Sequence, residues 1–364
     1  MSAPALNLSR DVASIAEDLC NIESVSGNEH ALADAIEKAL IGARHLTVLR
    51  DGDAIVARTH LGRTRDNQPH CVLIAGHIDT VPINNNLPVR RETRDGHEVL
   101  VGRGTVDMKS GVAVQLKLAV ELAEPNVDIT WVFYDHEEVA ADLNGLGRLA
   151  RNHPEIFDAE FGILCEPTSG LVEGGCNGTI HVDVRTTGTR AHSARAWKGD
   201  NAIHKLGSAL SKLSEYKAET VSVDGLDYRE SLSAVGMIGG VAGNVIPDEA
   251  KLSVNYRFAP SKSVDDARKF LEDFFADFEV TVTDSSAGAR PGLDALAAQG
   301  FLASVGTNPA PKYGWTDVAR LSSMGIPAVN FGPGDPSLAH ADDEHVMVDQ
   351  IFECERALRD WLTS

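Results

Sequence analysis

The sequence predicts an α/β protein with a mainly parallel central sheet, interrupted by a smaller α+β insertion of ferredoxin-like order. Three observations predict it. Up to about Cys176, helical patterns alternate with short apolar runs. From Asn177 the order becomes strand, helix, strand, strand, helix, strand, and after about Asp284 the alternating texture returns. At 364 residues the chain suits two domains, or one large domain carrying an insertion. The expected division is a discontinuous catalytic domain, 1–176 and 286–364, and an inserted domain, 177–285.

The elements follow in order. "SRDVASIAEDLC" reads as an amphipathic helix, with Ser9 as its N-cap and Val12, Ile15, Ala16 and Leu19 on one face. "EHALADAIEKALIG" and "SGVAVQLKLAVELA" repeat the helical period, while "CVLIAG", "ITWVFY" and "FGILC" have the length and apolarity of buried strands. In the insertion, "TIHVDVRTTG", "SLSAVGMIGG", "AKLSVNYRFAP" and "EVTVTD" read as strands, and "DNAIHKLGSALSKLSEYKA" and "VDDARKFLEDFFADF" as helices. The strand "PAVNFG" and the helix "VDQIFECERALRDWLT" close the chain.

Composition excludes several function classes. With 43% hydrophobic and 24% charged residues, the chain is an ordinary globular protein. Its formal charge of -20 opposes phosphate backbones, so neither nucleic acid nor anionic membrane is an expected partner. Bound cations would offset part of that charge. No stretch approaches the roughly 20 apolar residues of a membrane helix, and the start lacks a basic region followed by an apolar one, so a cytoplasmic protein is expected. The five cysteines, Cys20, Cys71, Cys165, Cys176 and Cys354, are odd in number and form no C-x-x-C pair. That argues against a disulfide framework or a thiolate metal site, so any metal must be held by histidines and carboxylates.

Three apolar runs end in residues of that kind. "CVLIAG" leads into His77 and Asp79, "ITWVFY" into Glu137 and Glu138, and "FGILC" into Glu166. Each alone is an ordinary solvated turn residue. Together, at the carboxyl ends of strands in an open α/β sheet, they could face one cleft. Asp107 stands where the Gly-rich "GRGTVDMKSG" enters a helix. Histidine with several carboxylates suits Zn²⁺, Mn²⁺ or Co²⁺ in a hydrolytic site, and one bridging carboxylate would allow two ions about 3.5 to 4 Å apart.

"HIDTVP", "GRGTVDMKSG", "HEE", "CEPTSG" and "SLAHADDEH", in that order and at these intervals, resemble the M20 family of dinuclear zinc peptidases and deacylases over almost the whole chain. "EPTSG", "NGT", "GNVIPDEAKLSVNYRF" and "GWTD" are most similar to its succinyl-diaminopimelate desuccinylases, particularly the actinobacterial branch. The resemblance implies a zinc-peptidase-like catalytic domain holding two Zn²⁺ per subunit, with Co²⁺ or Mn²⁺ as substitutes, and a lid that also dimerises. His77 and Glu166 would hold one ion, Glu138 and His340 the other, and Asp107 would bridge them. Glu137 would be the general base, and Asp79 would accept the other ring N–H of His77. A cis peptide is implied after Asp107. His340 sits in the family's ligand position, whereas His345 falls on the outward side; His136 matches no family role and reads as structural or solvated.

In the insertion, a lone histidine such as His192 in "GTRAHSARAW" is ordinarily polar surface; the resemblance implies an oxyanion-stabilising residue acting in the partner's site, hence a homodimer. Asn244, Arg257, Gly314 and Thr316 match family positions that contact substrate. The pattern departs from many desuccinylases, which read Gly-Gly-Thr-Ser-Asp here, in having Trp315 for the second glycine and no serine, and at "EGGCNGT", where many relatives carry an arginine. The implied reaction is hydrolysis of N-succinyl-LL-2,6-diaminopimelate, a small N-acyl amino acid, to succinate and LL-2,6-diaminopimelate. The rivals are acetylornithine deacetylation, a carboxypeptidase or another N-acyl amino acid deacylase, and, more remotely, a metal-bound binding protein without catalysis.

Overall fold

The computed structural model describes residues 6–62 and 71–364; the first five residues of the N-terminal stretch read above lie outside it. The chain divides into two compact units. One comprises the chain up to Gly174, Gly292–Ala310 and Arg320–Ser364; the other comprises Gly175–Pro291 and Pro311–Ala319. Gly314 and Thr316 therefore travel with the second unit, although the sequence-based division assigns them to the first.

The first unit is built on an eight-stranded sheet ordered Thr47–Asp51, Ala54–Arg58, Asp128–Tyr134, Cys71–His77, Phe161–Leu164, Ala328–Asn330, Glu173–Gly174 and Ala310–Pro311. The four central strands pair in parallel and antiparallel strands flank them. Cys71–His77 is buried along its whole length, as a strand covered on both faces must be. Helix Lys109–Glu121 is buried almost all round, and Val12–Cys20 and Val348–Thr363 pack against it. The N-cap of Val12–Cys20 is Asp11, whose side chain accepts from the Ser14 N–H, and not Ser9. Both residue types cap well, and the carboxylate two residues on wins because it alone reaches the first-turn amides.

A three-stranded sheet that the sequence did not announce joins His345–Met347 to His97–Val101, and that strand to Arg90–Arg94. It carries the C-terminal "ADDEH" beside the Gly-rich loop that leads to Asp107.

The second unit has a four-stranded antiparallel sheet ordered Ser231–Gly239, Glu249–Phe258, Gly178–Thr187, Glu279–Ser286, the order expected of the split β-α-β unit. Ala250, Leu252, Val254, Tyr256 and Phe258 alternate into its core against helices Ala202–Glu215 and Val264–Phe274. A capping box of Ser263 and Asp266 starts the second helix. All five cysteines are free and buried. No helix among the described residues is long and apolar enough to cross a membrane.

Candidate metal centre

The parallel strands deliver their ligands to one edge of the sheet. His77 is the last residue of Cys71–His77, and Glu137 and Glu138 lie in the turn beyond Asp128–Tyr134. Glu166 follows Phe161–Leu164 by two residues, and Asp107 precedes helix Lys109–Glu121 across a cis Asp107–Met108 peptide. That helix presses on the strand bearing Glu166: a Cβ on Gly111 would stand 2.1 Å from the Cys165 carbonyl oxygen, so only glycine fits there.

Three ligand groups converge within 4.8 Å: His77 with Asp107 and Glu166; Asp107 with Glu138 and His340; and His77 with Glu137 and Glu138. Asp107 belongs to two of them. Its Oδ1 lies 3.1 Å from His77 Nε2 and its Oδ2 3.4 Å from His340 Nε2, while Glu138 Oε1 lies 2.9 Å from that same nitrogen. His340 has φ +64, an unusual conformation outside glycine that turns the ring back toward the cluster. His345 joins none of these groups; its Nδ1 faces Arg94 and the Asp343 carbonyl. His136, also left-handed at φ +58, contacts Asp135 and Glu29.

Asp79 does more than its expected role. The His77 Nδ1 is nearer the Asp79 backbone carbonyl, at 3.1 Å, than its carboxylate, at 3.5 Å. The carboxylate also accepts the backbone N–H of Glu137 and of Glu138, each at 3.0 Å, and the Ser26 hydroxyl at 2.7 Å. It holds the glutamate turn as well as the histidine. Burial opposes its ionisation, yet hydrogen bonds from His77, that residue's charge and the Glu137 N–H bring its pKa down to about 2.

The electrostatics suit cations. Burial disfavours the charged form of His77, but hydrogen bonds to Asp107 and Asp79 raise its pKa well above the ordinary value. Hydrogen bonds to Asp107 and Glu138 raise that of His340 to about 10. Asp107 is lowered despite burial, through hydrogen bonds from His340 and His77. Five carboxylates (Asp79, Asp107, Glu137, Glu138 and Glu166) face two histidines. Even with both rings protonated, the histidines leave the cluster short of positive charge, and divalent ions that take imidazole together with carboxylate, such as Zn²⁺, Co²⁺ or Mn²⁺, fit the donor set.

In the second unit, His192 pairs across a two-residue ladder with Val245, and the Ser193 N–H donates to the Asn244 carbonyl. His192 and Asn244 are thereby neighbours, both exposed. Arg257 stands at the other end of strand Glu249–Phe258, where Nε donates to Asn255 Oδ1 and burial lowers its pKa. Thr316 is buried with its carbonyl facing the Cys176 thiol, and Gly314 is exposed.

Residues 73–364 match the model of peptidase family M20/M25/M40. The chain belongs to this family. A Mycobacterium tuberculosis protein provisionally named succinyl-diaminopimelate desuccinylase DapE is 50% identical over 360 residues, covering 98% of this chain and 99% of the relative. A Corynebacterium glutamicum succinyl-diaminopimelate desuccinylase is 45% identical over 371 residues, covering 99% and 98%. Among solved structures, a Staphylococcus aureus tripeptidase superposes with a TM-score of 0.76 at 20% identity, covering 99% of this chain and 98% of that one. The Bacillus subtilis YxeP protein, described as a dinuclear metal-binding peptidase of the M20 family, gives 0.67 at 15% identity, covering 96% of each. At such identities the two structures speak for the M20 fold alone.

Sequence reasoning missed Glu29, Arg103 and Glu344, all buried and all within the framework around these ligands. Glu344 had a signal, four residues after His340 in "HADDEH".

Proposed function

We propose that this M20 hydrolase cleaves N-succinyl-LL-2,6-diaminopimelate to succinate and LL-2,6-diaminopimelate. The carrying observation is 45% identity to a desuccinylase over essentially the whole chain, coupled with the ligand cluster and the adjacent Glu137.

His77, Asp107 and Glu166 would hold one Zn²⁺, and Asp107, Glu138 and His340 a second. When bound, the ions supply Lewis acidity toward a carbonyl and acidify a water. Glu137 takes the proton from the attacking water and hands it to the departing amine, while Glu138 beside it serves as ligand. Asp79 keeps the two apart in role by fixing both backbone amides.

The second unit supplies a lid and a dimerisation surface. Among the described residues, strand Ser231–Gly239 has a sheet neighbour on one side only, and it exposes Val235, Met237 and Ile238. An open apolar edge of this kind is ordinarily covered. The ends of the sheet give a second reason. Arg257 lies eight residues along its strand from Glu249, about 26 Å at strand rise, and the His192–Asn244 pair lies at the Glu249 end. An extended substrate of about a dozen bonds spans roughly 14 Å. The separation of the two sets exceeds the length of the substrate itself, which favours two copies each bringing one set to a site. His192 would then act on the oxyanion in the partner's site.

The test is amine release from N-succinyl-LL-diaminopimelate and N-acetylornithine by the zinc-loaded protein, side by side. The expected preference in kcat/KM is at least about 10³ for the succinyl substrate, roughly 4 kcal/mol of differential transition-state binding. The reverse preference would reassign the pocket.

A further inference from the structure

The buried pair Arg103 and Glu344 appears in none of the ligand groups, yet it ties together the two loops that carry Asp107 and His340. Glu344 is fully buried and Arg103 nearly so. Glu344 Oε1 accepts the N–H of Val106 at 2.9 Å and that of Asp107 itself at 3.1 Å. Its Oε2 accepts from Arg103 Nη1 at 2.7 Å, and its backbone carbonyl accepts the Gly102 N–H at 2.9 Å. The guanidinium then reaches the other loop: Nη1 lies 3.3 Å from the Ala341 carbonyl oxygen and Nη2 3.5 Å from that of His340. Nε lies 3.3 Å from the Pro82 carbonyl oxygen.

We propose that Arg103 and Glu344 are positioning residues for the ion shared by Asp107, Glu138 and His340, acting as one clamp on the bridging aspartate and the terminal histidine. The inference rests on the two-ion reading given above. Its physical basis is that Asp107 and His340 come from distant loops, and His340 is half-exposed on a turn with positive φ. Such a ligand needs its backbone held from behind, and the Arg103 fork contacts that backbone. His77 and Glu166 sit on strand ends of the central sheet and do not depend on the clamp. The first ion therefore has one clamped ligand, Asp107, against two for the second, Asp107 and His340, and should be weakened much less by the clamp's loss.

The experiment is Co²⁺ titration of the metal-free full chain, followed by visible absorbance, with stoichiometry from native mass spectrometry. Wild type should take up two ions. Glu344→Gln keeps the side chain's shape but sets an amide nitrogen against the guanidinium; it should weaken the second ion about 10- to 100-fold and leave the first within about threefold. Arg103→Lys retains the charge and loses the fork, so it should weaken the second ion in the same selective way. It also serves as the reading if Glu344→Gln does not fold. Two ions at wild-type affinity in the variants would overturn the clamp, and so would equal weakening of both ions, which marks a general defect. A wild-type chain that takes up only one ion would instead overturn the two-ion reading itself.

Discussion

The strand-end cluster of the first unit and the segment Ala191–Gly199 of the second are built in opposite ways. In the cluster, His77, Asp79 and Glu166 are buried, and the backbone of the glutamate turn is pinned by a carboxylate. In the segment, Ser193–Lys198 contains no buried residue and Trp197 is 79% exposed. Yet the segment is not loose. Thr189 and Asp200 exchange backbone hydrogen bonds across its neck, and His192 Nδ1 accepts the Ala194 N–H at 3.1 Å. That bond assigns the ring proton to Nε2, which leaves an outward-facing donor. The difference teaches what each place is for. Under the proposed function, a ligand must be preorganised and shielded from competing water, whereas a donor proposed to work in another molecule's site must project.

The largest way to sharpen that contrast is Glu137→Gln. If the cluster houses the base, turnover should fall by about 10² to 10⁴ while ion uptake by native mass spectrometry is unchanged. Unchanged turnover would remove Glu137 from the reaction. His192→Ala comes next, with an expected loss of about 10² to 10³ in kcat and no change in ion uptake. The two variants also test where each residue acts. Mixed one to one and allowed to exchange subunits, they should recover about a quarter of wild-type activity, because each mixed dimer of a two-fold assembly contains one site with both residues. No recovery, with exchange verified by mass, would place His192 and Glu137 in the same chain's site.

The same contrast explains what could be read from sequence. The clustering of these side chains was legible because each apolar run stops at a residue type that water, not a core, would otherwise have to accept, and three stops at parallel strand ends share one edge. Glu137 and Glu138 were legible as a pair, but the hold that Asp79 exerts on their amides was not, since a carboxylate's choice between a ring nitrogen and two backbone donors depends on turn geometry. Arg103 and Glu344 were hidden because the strands that bring them together, His97–Val101 and His345–Met347, are short and far apart in sequence. Nor does any periodicity reveal that Asn244 adjoins a separate two-residue ladder while Arg257 lies near the far end of strand Glu249–Phe258.

The smallest effect expected concerns protons, and it bears on the cluster alone. In the metal-free chain, carboxylates raise the pKa of His77 and bring that of His340 to about 10, so both rings are shifted toward their protonated forms. Raised values contribute stability that is complete below the unfolded pKa of about 6.5 and is lost as pH climbs through the folded values. Metal ligation requires neutral rings, so ion uptake must expel these protons. Between pH 6 and 8, ion affinity should therefore rise about tenfold per pH unit for each histidine that deprotonates, and the gain in Tm on adding Zn²⁺ should grow over the same interval. Calorimetry in buffers of different ionisation enthalpy counts the protons directly. At least one released on filling both positions at pH 7 is the expected result; none would mean that the histidines are already neutral, and the carboxylates around them must then be balanced by some other charge.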